Sequence, residues 1–202
     1  MVWAKIVEES GAGFSLWAPF GQRLQPPSGT LTEIAGPTSS GRTAFLNSLL
    51  AAATADNEFC ALIDAEDVFD PASAAAGGVL LSQVLWVRCG GNVEHALKAA
   101  DMLAQSGGFG LVAIDLGDTP ERTARRIPLA VWFRLRHGVR NTRTALVCLA
   151  RQVNAHSCST LKIELRRDRA LWRGGLLQAL EIAGRWIRNH REERTRFQIP
   201  VR

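Results

Sequence analysis

No stretch of this sequence is apolar for the length that a membrane span needs. Its first residues, Met1 to Leu16, carry Lys5, Glu8 and Glu9 where a secretory leader would have a basic head and an apolar middle. These absences lead us to expect a cytoplasmic protein without a membrane partner. Cysteine is scarce as well: Cys60, Cys89, Cys148 and Cys158 form no C-x-x-C pair, which argues against a disulfide framework and for free thiols. His156 and Cys158 make one pair of potential ligands without a second pair, so no structural metal is expected. Basic charge, by contrast, is plentiful but unevenly placed. Residues 1–118 carry 5 Lys+Arg against 13 Asp+Glu, a net −8, whereas residues 119–202 carry 19 against 6, a net +13 held almost wholly by arginine. Clustered guanidinium groups repel one another unless something neutralises them, so the second half points to a polyanion or an acidic protein surface.

With 202 residues, 47% of them apolar and 21% charged, the chain has the composition of one folded domain with a substantial core. The stretch that organises it is Gly36-Pro37-Thr38-Ser39-Ser40-Gly41-Arg42-Thr43, between the apolar run Leu31 to Ala35 and the helical pattern Thr43 to Ala53. A glycine-rich turn that leaves a strand and opens a helix aims several backbone N–H groups into one concavity, a geometry suited to phosphate. The pattern G-x-x-x-x-G-K-[ST] is met at every fixed position except the lysine, where Arg42 stands.

Further strands are expected over Phe59 to Asp64, around Gln83 to Val87, and over Leu111 to Asp115, Thr144 to Ala150 and Leu161 to Arg166. Between them, Asn92 caps a helix from Val93 to Gln105 whose buried side is Ala96, Leu97, Ala100, Met102 and Leu103. Thr119-Pro120-Glu121 starts another helix. Pro128 opens a third through Arg136, with Leu129, Trp132, Phe133 and Leu135 making its apolar side. Strands alternating with helices predict a mostly parallel sheet with helices on its faces. The acidic segment Asp64-Ala65-Glu66-Asp67, with Asp70-Pro71 after it, follows the second strand at the carboxyl edge, where carboxylates can face a bound phosphate. The tail is ambiguous: Leu176, Leu177, Leu180, Ala183 and Ile187 fit a helix, while Leu180, Ile182, Gly184 and Trp186 fit a strand. Phe197-Gln198-Ile199 reads as a last strand closed by Pro200.

The segments Glu33 to Thr43, Ile63-Asp64-Ala65-Glu66 with Asp70-Pro71, and Ile114-Asp115, in this order, resemble the core of the RecA recombinase family. Weaker likenesses are Asn141 to Leu149, Leu161 to Arg167, and Arg188-Asn189-His190 followed by Phe197-Gln198-Ile199. The resemblance implies a RecA-like P-loop NTPase core: a mostly parallel, twisted sheet flanked by helices, with antiparallel strands at its C-terminal edge. It also favours the strand for the second part of the tail. Residues 1–30 would be an N-terminal arm or loop and residues 31–202 a single core domain.

Carried over residue by residue, the resemblance makes Gly36, Pro37, Thr38, Ser39, Ser40, Gly41, Arg42 and Thr43 the ATP-binding loop. Thr43 and Asp115 would hold Mg²⁺, and Glu66 would orient the attacking water. There is little room between Ala150 and Thr160 for the family's long DNA-binding loop, and its C-terminal domain is not expected either. In this stripped form the chain is similar to ImuA-type RecA-like proteins, accessory partners of error-prone polymerases in translesion synthesis. That likeness implies an error-prone polymerase or its accessory subunit, RecA-like subunits, and DNA met through the arginine-rich half as partners. ATP hydrolysis would be impaired by Arg42. The alternative is an active DNA-dependent ATPase or recombinase of the RecA type.

Overall fold

The structure is a computed structural model that describes residues 26–188 and 191–200. The arm expected over residues 1–30 therefore lies outside the described residues up to residue 25, as do Asn189 and His190 of the weaker likeness.

Four apolar runs become strands buried along their whole length: β1 (Leu31–Ala35), β2 (Cys60–Asp64), β4 (Leu111–Leu116, with Asp115 half-buried) and β5 (Ala145–Ala150). Such runs have no solvent face to alternate with, because helices cover both sides of a parallel sheet. β3 (Val84–Arg88) is more exposed and lies at the edge. With β6 (Leu161–Arg173), β7 (Leu176–Arg188) and β8 (Arg191–Pro200), the eight-stranded sheet has the order β3-β2-β4-β5-β1-β6-β7-β8, parallel from β3 through β6 and antiparallel thereafter.

Helix α1 (Arg42–Ala55) packs Phe45, Leu46, Leu49 and Leu50 on one face. After the short α2 (Pro71–Ala76), helix α3 (Val93–Ser106) covers the other face together with α5 (Leu129–Val139), which follows the one-turn α4 (Glu121–Ala124). Three of the expected core residues are corrected: Met102 is 74% exposed, Phe133 48% and Leu129 43%. Ala96, Ala100 and Ala104 share one stripe of α3, and Met102, two positions past Ala100, points away from it. On α5 the buried stripe is Trp132, Leu135 and Val139, leaving Phe133 outside.

The tail is strand throughout its described length, and the helical alternative falls. β6 (Leu161–Arg173) and β7 (Leu176–Arg188) form a hairpin closed by Gly174 and Gly175, both with positive φ, 58° and 80°. A two-residue turn with both φ positive matches the twist of antiparallel strands and is open to glycine without strain. Ile182, Gly184 and Trp186 turn inward, and the missing Cβ of Gly184 makes room for the Trp186 ring. β8 (Arg191–Pro200) completes the edge. β6 pairs with β1 only as far as Glu164, so its remaining length carries the hairpin a contour of roughly 30 Å past the parallel sheet.

One carboxylate in this core was not singled out as functional, and it is structural. Glu33, 2% exposed in β1, accepts the N–H groups of Asn154 and Ala155, both at 2.7 Å, and the Ser159 hydroxyl at 3.0 Å. It pins the connection between β5 and β6, the place where a mobile loop would have to lie. Glu33→Ala is expected to cost about 3 kcal/mol, because it strands buried donors. Urea unfolding reads the loss, and faster amide exchange at Asn154 and Ala155 locates it.

Candidate phosphate-binding site

Between β1 and α1 the chain turns through Gly36 to Thr43 at the carboxyl edge of the sheet. Ser39 and Gly41 both take positive φ, 60° and 91°. A Cβ on Gly36 would meet the Leu165 carbonyl at 2.5 Å, and one on Gly41 would meet Ile199 Cδ1 at 2.8 Å and Ile182 Cγ1 at 3.2 Å. The back of the turn is thus packed directly on β6, β7 and β8. The antiparallel extension is a buttress for it.

The concave side has unsatisfied donors. α1 has no side-chain cap; its first helical bond runs from Phe45 N–H to the Gly41 carbonyl at 2.9 Å, and the N–H groups of Arg42, Thr43 and Ala44 find no backbone acceptor among the described residues. Ser40 Oγ is buried without a partner among the described residues. Thr43, at the first turn of α1, is exposed.

Arg42 is the surprise of the site. It is 8% exposed, and its Nη1 donates to the Gly117 carbonyl at 2.9 Å, across the sheet edge on the connection after β4. Burial lowers its pKa, while Asp115 and Asp118 work the other way and Arg151 adds to the lowering. Its Nε and Nη2 hydrogens have no acceptor among the described residues. The same Gly117 carbonyl also accepts Arg151 Nε at 3.3 Å, and Arg151 reaches Asp118 at 3.7 Å. Gly117 is glycine for a reason: a Cβ there would lie 2.8 Å from Asp115 Oδ1 and 2.9 Å from Arg42 Nη1.

Asp115, next to last in β4, lies beside Asp64 of β2 in register, and its Oδ1 accepts the Gly117 N–H at 2.8 Å. Burial raises its carboxyl to about 6; the Gly117 N–H lowers it, Asp64 raises it and Arg42 lowers it. Glu66, on the connection after β2, accepts the Thr119 hydroxyl at 2.9 Å. The expected site residues therefore converge on one connection, residues 117–120: Arg42 and Asp115 meet it at Gly117, Glu66 at Thr119. The carboxylates Asp64 and Asp70 are held by partners within the chain. Asp64 accepts the N–H groups of Val68 and Phe69 and the Trp86 indole, and Asp70 caps α2 through Ala72 N–H and Ser73 Oγ. Gly117, Thr119 and Arg151 were not foreseen. Only the glycine two places after Asp115 could have hinted at a close approach.

The arginine-rich half is more self-neutralised than its charge suggests. On the open face of β6 to β8, Arg185 pairs with Glu164 at 2.5 Å and Glu192 at 3.3 Å, Arg194 with Glu192 at 2.8 Å, and Arg196 with Asp168 at 3.2 Å. Arg166 and Arg167 make no ion pair among the described residues. This face and Gly36, Pro37 and Arg151 line a cleft of about 940 Å³. Cys60, Cys148 and Cys158 are buried free thiols, and Cys89 is a half-buried one. No helix among the described residues is long and apolar enough to cross a membrane, and these residues bring no three His, Cys, Asp or Glu together as a metal cluster.

A mixed α/β sheet, mostly parallel and flanked by helices, with a glycine-rich turn between its first strand and first helix, is the class that these features define. The chain belongs to the RecA family: the RecA N-terminal domain matches residues 19–120. It is similar to Protein RecA of Rickettsia massiliae (strain Mtu5) and of Rickettsia bellii (strains OSU 85-389 and RML369-C). Each is 40% identical over 89 residues, covering 44% of this chain and 26% of the relative. The matched stretch thus spans about a quarter of the length of these relatives.

Asp115 gives a pH prediction. In the folded chain its carboxyl takes its proton near pH 6, and in the unfolded chain near 3.9. The fold binds that proton more tightly, so its contribution to stability is lost as pH rises from about 4 to about 6. Asp115→Asn is expected to remove this step and to stabilise the fold at neutral pH by about 1–2 kcal/mol, read as the urea midpoint against pH.

Proposed function

We propose that this chain is a RecA-fold accessory protein of the DNA damage response, of the ImuA type, acting in translesion synthesis beside an error-prone polymerase. In this reading residues 31–202 form one RecA-like P-loop core and residues 1–30 an arm. The protein works in the cytoplasm, binds a nucleotide such as ATP at Gly36 to Thr43, and turns it over weakly or not at all.

The observation that carries the reading is the tether of Arg42 to Gly117. A lysine at this position would present a compact ammonium to the phosphates, whereas the flat, forked guanidinium is held by a carbonyl on a neighbouring connection. Binding is supported by the unpaired N–H groups at the start of α1, because a helix N-terminus suits an anion. Impaired turnover is supported by the same geometry. A donor committed to a ground-state partner gives less to a transition state that forms elsewhere.

The chain's own residues then have modest tasks. The turn seats the phosphoryl oxygens on backbone donors, Glu66 and Thr119 hold the connections after β2 and β4 together, and β7 and β8 keep the turn from opening. Contacts with a polymerase or its accessory subunit, with RecA-like subunits and with DNA are assigned to the arginine-rich half. Arg166 and Arg167 are among the arginines there that make no ion pair among the described residues.

Steady-state phosphate release from ATP tests the proposal. The native chain is expected at background, and Arg42→Lys is expected to raise turnover about tenfold or more, ~1.4 kcal/mol of barrier. Equal, robust turnover by both would return the chain to the reading of an active DNA-dependent ATPase or recombinase.

A further inference from the structure

We infer that Arg42 stands where a divalent cation would act, so that the turn Gly36–Thr43 takes a phosphate-bearing nucleotide without Mg²⁺. The inference rests on the proposed nucleotide site and concerns its chemistry. A magnesium ion at this edge would need oxygen ligands with lone pairs to give and would draw them from Thr43 and Asp115. The donor set does not fit. Asp115 spends Oδ1 on the Gly117 N–H at 2.8 Å and keeps only Oδ2 without a partner among the described residues, and the next oxygen on that connection, the Gly117 carbonyl, accepts Arg42 Nη1 at 2.9 Å and Arg151 Nε at 3.3 Å. A dication here would sit beside a fixed guanidinium, with a second one close by.

That guanidinium already supplies what the ion would. It is a cation that cannot lose its proton under ordinary conditions, it is nine-tenths buried at the first turn of α1, and it has one hydrogen-bonding edge spent on Gly117 and other hydrogens without acceptors among the described residues. A phosphoryl oxygen seated on the unpaired N–H groups of α1 would complete it, since bidentate guanidinium–phosphate contacts are among the stronger charged hydrogen bonds. The absence of a side chain at Gly117 is part of the device, because even a methyl group would displace Nη1.

The test is ATP binding to the full chain by titration calorimetry, in excess EDTA and in excess magnesium. The native affinity is expected to agree within about threefold between the two conditions. Arg42→Lys, which takes one of two donors off the Gly117 carbonyl and removes the fork, is expected to make binding at least about tenfold weaker in EDTA than in magnesium. A second readout needs no nucleotide: Mn²⁺ alone, followed by water-proton relaxation, should find no site in the native chain and a site in Arg42→Lys that Asp115→Asn removes. Gly117→Ala, which leaves the loop sequence intact, should shift the magnesium dependence in the same direction if the lysine variant does not fold. Native binding that requires magnesium, or an Asp115-dependent Mn²⁺ site in the native chain, would overturn this inference and leave the proposed nucleotide site standing. No ATP binding in either condition would overturn both.

Discussion

The hydrogen bond from Arg42 to the Gly117 carbonyl joins the two connections that a parallel sheet must bring together at its carboxyl edge. β1 and β4 are not neighbours; β5 lies between them, and the register that sets Ala35 and Leu116 both against Ala150 fixes their ends at one level. The separation across one intervening strand is about 10 Å, within reach of a long arginine side chain. Sheet register thus makes the tether available, and the burial of Arg42 makes it costly to leave unmade, because a charge removed from water must find partners.

The same constraint explains why the tail is built as it is. A turn with two left-handed residues and an uncapped helix would be a weak point if solvent lay behind it. The β6 to β8 extension supplies Ile182, Ile199 and the Leu165 backbone at that position, close enough to exclude side chains on Gly36 and Gly41. Its inner face is therefore committed to packing. Its outer face carries the arginines, and there Glu164, Asp168 and Glu192 hold much of the positive charge in local pairs. Exposed pairs of this kind contribute little stability each. They flatten the field of the surface and leave Arg166 on this face to meet a partner, while Arg167 lies on the opposite face of the strand, across from Ile182.

Much of the parallel core was legible because its signals are local. Apolar runs of strand length, Asn92 as a cap and glycines at the helix ends each act over a few residues, and they set β1 to β5 and α1, α3 and α5 within a residue or so, apart from α5, which runs on to Val139. Single faces were less legible. Met102 and Phe133 are apolar residues on the wrong side of their helices, and composition does not carry the angle. The tail was ambiguous because Leu176, Leu177, Leu180, Ala183 and Ile187 satisfy helical spacing while Leu180, Ile182, Gly184 and Trp186 satisfy alternation. What decides is tertiary: β1 offers an unpaired edge to β6, and Gly174-Gly175 returns the chain along it.

The candidate site was legible as a set of residues and not as a set of bonds. Gly36 to Thr43, Glu66 and Asp115 do lie on connections at the same edge, since strand order alone places them there. Which atom each side chain meets depends on groups without a motif: a backbone carbonyl at Gly117, a hydroxyl at Thr119, a second arginine at Arg151. Arg42 shows the consequence. Read as a letter it is a conservative replacement for lysine, charge for charge. Its geometry differs in kind, because a guanidinium directs its donors in a fixed planar fork, here with one edge on the Gly117 carbonyl, whereas an ammonium turns three donors about a single point.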